Sequence, residues 1–382
     1  HPRSFPSDSK SQLWNFYAFI YFAQDDYDGA IRSYEMVLEQ ADLPLGMDTT
    51  TRFTLTQLYF QQERYQESLE ILDKTIILKG VNLFSGLTGE EEIISLEMRN
   101  RVLTSENVAA NAVMAGCLPE YFPVLTTTLK TLEEEKNFVH MASASTSSPA
   151  IMMLLNGPIR DLIGANYKDG LLGPGNRANA VLGRAIRLCF MNGFDARPGT
   201  LDRGTLGNPS KYTLCFAENE EDSPWEPLHV ARGFNKEDST VTVAVAYNPV
   251  TVNAAYGHTG ESILMAIADT LRSASMAFRY PSQWVLIIGP EHAITLNDDN
   301  WTRKGIQDYM MENAVRPQSE LIRLGIAQGP EREGDDKIIR RCAQDPEDIL
   351  VMMGGGTGGR NSAIIDTTRF QIRTTKIENF KE

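Results

Sequence analysis

Cys117 is the residue best placed in this chain for nucleophilic or redox chemistry. It lies in the stretch Ala112 to Pro123, between two helical patterns, with Gly116 before it and Pro119 and Glu120 after it. A proline fits the first turn of a helix, where its missing N–H costs nothing. The spacing therefore predicts Cys117 near the N-cap of the second helix, its sulfur beside unpaired backbone donors and the positive end of the dipole. A thiol there can have a depressed pKa and act as nucleophile or metal ligand, with Glu120 as a neighbouring acid or base. The alternative is a small buried residue at a tight corner turned by Gly116.

Two glycine loops offer anion sites. Gly173, Gly175, Asn176, Arg177 and Asn179 open a helical pattern that carries Arg184 and Arg187. Glycines let backbone N–H groups approach a ligand and the helix start adds positive potential, so a phosphate or carboxylate would be held there. The loop is neither a P-loop nor a dinucleotide fingerprint; alternatively it packs on another loop. The second follows an apolar strand, Leu350 to Met353, and runs Gly354-Gly355-Gly356-Thr357-Gly358-Gly359 into Arg360 and Ser362. Glycines at a strand end suit an oxyanion hole or anion nest, and Gly355, Gly358, Arg360 and Ser362 are its candidate contacts.

Acids and histidines complete the inventory. The loop from Phe216 to His229 holds Glu218, Glu220, Trp225 and His229, which could bind a divalent metal or act as acid and base; a solvated acidic loop is the alternative. Glu291 and His292 follow another strand, making His292 a second proton shuttle. Asn156, ending an apolar run before Gly157 and Pro158, is a further substrate contact. The five histidines show no His-x-x-x-His or His-x-His spacing and the chain has no Gly-x-Ser-x-Gly elbow, which argues against the common zinc-hydrolase and serine-hydrolase patterns.

The elements that must position these residues read as two kinds. Residues 11–76 are helical and repeat: Tyr21, Tyr27 and Ala30 recur in spacing as Tyr59, Tyr65 and Ser68, with Trp14, Tyr17 and Tyr21 among the aromatics. The pattern resembles tetratricopeptide repeats, whose period is about 34 residues, with extra residues at Pro44-Leu45-Gly46. From Ser105 onward apolar strands end in glycine or proline loops and alternate with helices, which predicts an α/β domain, a mixed sheet with flanking helices. The expected organisation is helical repeats over 1–78, a linker over 79–104 and a catalytic α/β domain over 105–382, with a further split near 235–260 giving two subdomains.

Bulk properties narrow the partners. The 382 residues carry 36 Lys and Arg against 50 Asp and Glu, a net charge of -14. That argues against nonspecific nucleic-acid or anionic-membrane binding but leaves room for a local arginine cluster. Four cysteines at 117, 189, 215 and 342 form no disulfide framework and no Cys-x-x-Cys pattern, which points to the cytoplasm. No apolar run approaches the roughly 20 residues that cross a bilayer, and the start, His1, opens no signal-peptide pattern.

From Asn107 to about Ile377 the chain resembles an uncharacterised bacterial family associated with proteins bearing a UGSC (selenocysteine/cysteine) motif. The matching stretches are Asn111 to Tyr121, Asn156 to Pro158, Gly173 to Asn179, Asp202 to Pro209, Lys211-Tyr212, Glu218-Asn219, Ser223 to His229, Pro290 to His292 and Gly354 to Ser362. The resemblance implies thiol or redox chemistry by association. It does not reach the helical start, so the chain reads as a composite.

Three functions follow. The first is an enzyme on a small anionic substrate: Cys117 as nucleophile or redox thiol, Arg177 and Arg184 holding the anion, the Gly354–Gly359 loop stabilising negative charge and His229 or His292 moving protons. The second is a metal-dependent hydrolase or lyase of the ester or lactone class, with Glu218, Glu220 and His229 as ligands. The third is a non-catalytic scaffold whose repeats hold a partner protein.

Overall fold

Strands rich in β-branched and aliphatic residues, each closed by a glycine or a polar turn, frame the larger part of the molecule. The computed structural model describes residues 7–40, 45–64, 67–68, 71, 90–97, 100–134, 136–273, 278, 282–367 and 372–378. The chain divides into two units, His1–Glu91 and Glu92–Glu382. It combines helices with several mixed sheets, the class expected from the sequence.

The first unit contains α1 (Ser7–Ala23), α2 (Tyr27–Leu38) and α3 (Leu45–Gln61). Asp26 caps α2 by accepting from the Gly29 N–H at 2.8 Å, one of the donors a helix start leaves unpaired. A methyl at Gly29 would press on the Tyr21 ring at 2.8 Å, so the small residue permits the close approach of α1 and α2. Ala30, Ile31, Leu55, Leu58 and Tyr59 form the core, with Tyr21, Tyr27 and Tyr34 packed against it. Tyr65, one member of the repeated pattern, lies outside the described residues.

The second unit opens with a hairpin, β1 (Glu92–Leu96) and β2 (Arg101–Thr104). Residues 92–104 were expected in a linker; Ile93, Ile94, Leu96 and Leu103 are instead buried. The Glu133 carboxylate fastens the hairpin, accepting from Ser95 N at 2.6 Å and Ser95 Oγ at 2.8 Å. Thr104 caps α4 (Ser105–Ala115), which ends at Gly116 with φ +90°. Then come α5 (Phe122–Glu133) and α6 (Lys136–Ala144).

Two four-stranded sheets follow, and they share one topology. In the first, β3 (Ala150–Asn156) runs parallel to β4 (Cys215–Ala217) after crossing through α7 (Arg177–Gly193). The chain then returns as β5 (Thr240–Ala246), antiparallel to β3 on its other side. In the second, β6 (Val250–Asn253) leads through α8 (Gly260–Ser273) to β7 (Trp284–Ile288). There α9 (Pro290–Asp298), α10 (Arg303–Asn313), the short pair β8 (Val315–Pro317) and β9 (Ile339–Arg341), and α11 (Gln318–Arg323) intervene before β10 (Ile349–Met353) pairs parallel to β7. Next, β11 (Asn361–Asp366) returns antiparallel to β7 and β6 borders β11. The last strand, β12 (Arg373–Lys376), borders β5 and fills in the first sheet the place that β6 holds in the second.

Alternation along each strand sends every second residue to the same face. Met152, Leu154, Phe216, Ala244 and Ala246 of the first sheet therefore meet Val285, Ile287, Leu350, Met352, Ala363 and Ile365 of the second in one buried cluster. The outer face of the second sheet, with Trp284, Leu286, Ile288 and Val351, is covered by α8, α9 and α10 through Ile263, Ile267, Leu296, Ile306 and Met310. Helices α5 and α7 cover the first sheet. The order is helix, sheet, sheet, helix.

The turns after β3 and β7 also match. Gly157-Pro158 follows β3 and Gly289-Pro290 follows β7. A Cβ on Gly157 would run into the Asp238 carbonyl oxygen, and one on Gly289 into that of Asn361. Ser239 Oγ accepts from Ile159 N at 3.0 Å, and Ser362 Oγ accepts from Gly289 N at 3.2 Å. Both turns thus pack against the residues that begin the returning strand. Among the described residues no helix is long and apolar enough to cross a membrane.

Candidate functional site

The C-terminal ends of the parallel pair β3 and β4 carry the densest group of buried polar side chains. Asn156 ends β3; Glu218, Asn219, Glu220 and Glu221 follow β4. Asn156 Nδ2 donates to Glu218 Oε2 at 2.5 Å and to Glu220 Oε1 at 2.9 Å. Gly157 N donates to Glu220 Oε1 at 2.7 Å, and Leu228 N to Glu218 Oε2 at 2.8 Å. Arg160, on the helical turn Ile159–Leu162, lies 3.2 Å from Glu220 Oε1, donates to the Glu218 carbonyl at 2.7 Å and pairs with both oxygens of Glu221 at 2.7 and 3.1 Å. The fork geometry of a guanidinium suits such a set of acceptors.

His229 stands on the turn Leu228–Ala231, fully buried. Its Nε2 faces the Lys236 carbonyl at 3.3 Å and its Nδ1 lies 3.8 Å from Glu220 Oε1. Three buried atoms of this cluster have no hydrogen-bond partner: Asn156 Oδ1, Glu218 Oε1 and His229 Nδ1. Burial pushes the Glu218 carboxyl up to about 7, with the bonds from Leu228 N and Asn156 opposing and the Glu220 charge adding to the rise. An acid poised near neutrality can both give and take a proton.

The loop that supplies His229 is anchored on the second sheet's helices. Trp225 Nε1 donates to the Trp301 carbonyl at 3.1 Å, and Arg303 Nη2 donates to the Glu226 carbonyl at 2.6 Å while its Nε donates to Val351 O at 3.1 Å. Asn219 N donates to Met353 O at 3.0 Å, joining the end of β4 to the end of β10.

Expected as metal ligands, Glu218, Glu220 and His229 are neighbours but not a metal set. Among the described residues no group of three or more His, Cys, Asp or Glu side chains is arranged to hold a metal ion. The reason is local: Glu218 Oε2 and Glu220 Oε1 are turned onto amide and guanidinium donors.

A second cluster sits at the ends of β7 and β10. His292 Nδ1 and Ser362 Oγ are 2.8 Å apart. Burial lowers the pKa of His292, the Ala254 carbonyl opposing. The glycine run does form an anion nest, with Gly355 and Gly358 at positive φ, but the chain's own Glu291 occupies it, accepting from Gly358 N at 2.5 Å and Gly359 N at 3.1 Å. Burial works against the Glu291 charge, and these N–H bonds outweigh it, holding the carboxyl below its usual range. Arg360 is bound to the Gly257 carbonyl.

Cys117 belongs to a third place. It follows the C-cap of α4, and the second helix begins instead as a three-residue 3-10 turn, Pro119–Tyr121, carrying Glu120 and preceded by Leu118 as N-cap. That turn runs directly into α5. The Cys117 Sγ lies 3.5 Å from Val181 O, and burial pushes the thiol up to about 12 despite the charge of Arg177. This setting opposes the depressed pKa expected of an activated thiol. The loop before α7 is likewise internally engaged. Gly173 N donates to Gly170 O at 2.7 Å, Asn176 caps α7 by accepting from Asn179 N at 3.0 Å, and Asn179 accepts from Asn166 N at 2.9 Å. Arg177 donates to Gly116 O at 3.1 and 2.9 Å. Gly175 adopts φ +117° with open space beside it. Arg184 lies farther along α7, half-buried.

The structure thus brings together Asn156, Glu218, Glu220 and His229, and separately His292, Ser362 and Gly358. Arg160 and Arg303 were not foreseen. Arg160 could have been found from its place two residues after the Gly157-Pro158 turn. Arg303 carries no local signal. The chain matches no family model, no curated protein and no solved structure.

Proposed function

We propose that the protein is an enzyme of the hydrolase or lyase class that acts on a small anionic molecule and holds a water or substrate hydroxyl among Glu218, Asn156 and His229. The observation that supports this most is the set of three unpartnered buried atoms. Buried polar groups in native proteins are nearly always paired, and orphans mark a missing water or ligand. Glu218 Oε2 already accepts two N–H bonds, so the neutral acid carries its proton on Oε1. Asn156 donates through Nδ2, leaving Oδ1 as acceptor. His229 Nε2 faces a carbonyl, which assigns the hydrogen to Nε2 and a lone pair to Nδ1. One donor and two acceptors complement a water molecule. Ionised Glu218 takes a proton from that oxygen as it attacks, and the acid form returns it to the leaving group.

The test is turnover on a panel of small carboxylated esters, lactones and hydroxy acids. The Glu218→Gln variant is expected to lose about 10²–10⁴-fold, the usual worth of a general acid–base group. Full activity in that variant, with loss in Cys117→Ser, would restore the thiol reading that the family resemblance implies.

A second reading concerns the first unit. Leu13, Phe16, Phe19 and Phe22 of α1 are exposed, which supports tetratricopeptide-like helices that hold a partner protein through an apolar stripe. All four cysteines are free, in keeping with a cytoplasmic protein.

A further inference from the structure

We propose that Arg303 is the anion-binding arm of this site and receives a carboxylate or phosphate group of the ligand. The inference rests on the reading of Glu218 as the acid–base group and adds the class of molecule that reaches it. Arg303 begins α10, and its side chain is only 14% exposed. A guanidinium withdrawn from water needs a counter-charge, because hydration is lost and neutral carbonyls return only part of it. Arg303 has two neutral partners, the carbonyls of Val351 and Glu226. The nearest carboxylate in an ion pair with it, on Glu226, stays at 3.9 Å from Nη1 with its side chain 59% exposed. Burial lowers the Arg303 pKa, with the charges of Glu218 and Glu226 opposing.

The contrast with Arg160 is informative. Arg160 is as buried, but Glu221 meets it with two oxygens and Glu220 lies at 3.2 Å; it is neutralised within the fold. Arg303 is not, and Glu218 stands within its field. Burial raises the Glu218 pKa, so the counter-charge it offers Arg303 is partial and depends on pH. Of the two glycine-and-arginine loops read from the sequence as anion sites, one is filled by Glu291, and in the other Arg177 is turned onto the Gly116 carbonyl. Among the described residues, no carboxylate meets the Nη1 edge of Arg303 at hydrogen-bond distance: Glu226 stays at 3.9 Å, and Glu218 acts on Arg303 through its charge alone. A ligand anion there would displace the loosely held Glu226 carboxylate and place its neighbouring atoms toward Glu218.

The experiment is calorimetric titration of the full chain with malonate and with inorganic phosphate. The wild type is expected to bind at least one. Arg303→Met is expected to weaken that binding tenfold or more with the melting profile retained, and Glu226→Gln, which removes the competing carboxylate, to strengthen it severalfold. Should Arg303→Met fail to fold, Glu226→Gln decides alone: unchanged affinity overturns the proposal. Binding by a folded Arg303→Met at the wild-type level, or no binding of either anion by the wild type, also overturns it. The Glu218→Gln variant, which removes a second negative charge facing Arg303, is expected to bind the anion at least as tightly as the wild type. If it does so and also keeps full turnover, the acid–base reading fails while the arginine subsite stands.

Discussion

Asn156 donates from one amide nitrogen to the carboxylates of both Glu218 and Glu220, which lie 62 and 64 positions further along the chain. The bond exists because β3 and β4 run parallel and end together, so an amide on one strand faces the acidic turn after the other. It fixes which oxygen of each acid is occupied and leaves Glu218 Oε1 as the free one.

Removing that amide should expose its importance. Asn156→Ala removes one donor from each of two carboxylates, which keep Leu228 N and Gly157 N, and a hydrogen bond to a charged group is worth about 1.5–3 kcal/mol. Urea unfolding is expected to show a loss in this range, with Asn156→Asp still less stable because it adds a third acid.

Stability should depend on pH through Glu218 and Asp366, since burial pushes both carboxyls up to about 7. A carboxyl that binds its proton more tightly folded than unfolded stabilises the fold below its unfolded pKa. That contribution disappears as pH rises from near 4 to near 7 and is constant above. For Glu218 it is on the order of 3 kcal/mol. Melting temperatures across this window should fall less steeply in Glu218→Gln and Asp366→Asn than in the wild type.

Cys117 should be slow to alkylate. With its thiol raised to about 12, iodoacetamide at pH 8 is expected to modify it far more slowly than an unperturbed cysteine with pKa near 8.5. Peptide mapping over time measures this; a rate at or above that of a free thiol would reinstate an activated sulfur.

The paired turns make a sharper prediction. Gly157→Ala and Gly289→Ala each force a Cβ onto a backbone carbonyl, and Gly157 also has φ +77°. Each should destabilise by about 2–4 kcal/mol, whereas Gly358→Ala, which meets open space at φ +125°, should cost about 1 kcal/mol for its conformation alone.

Domain boundaries can be tested by truncation. A chain starting at Glu92 keeps the β1–β2 hairpin and should fold, while one starting at Ser105 loses Ile93, Ile94, Leu96 and Leu103 from the core and should be insoluble or molten by near-ultraviolet dichroism.

How far the sequence disclosed this arrangement differs from residue to residue. The main strands were legible because apolar runs such as Ile349–Met353 end at glycine, and the grouping of Glu218, Glu220 and His229 followed from their closeness in the chain. The pairing of Asn156 with them was not, since it depends on which strands become neighbours. The setting of Cys117 was legible only in part: Pro119 does open a turn that runs into α5, but the burial that raises the thiol is set by tertiary packing. The hairpin at 92–104 escaped notice because its strands are short and are held by tertiary contacts, Ser95 on Glu133 and Leu103 against Gly193. Arg303 had no signal at all: a lone arginine becomes significant only when the fold withdraws it from water without a counter-charge.

The most direct measurement is a carboxyl titration of Glu218 by carbon-13 NMR on glutamate-labelled protein, with Glu218→Gln as the assignment control. A resonance that titrates with a midpoint near 7 and vanishes in the variant is the predicted result. A midpoint in the ordinary glutamate range, near 4.3, would show the group solvated and ionised, and would contradict the site described here.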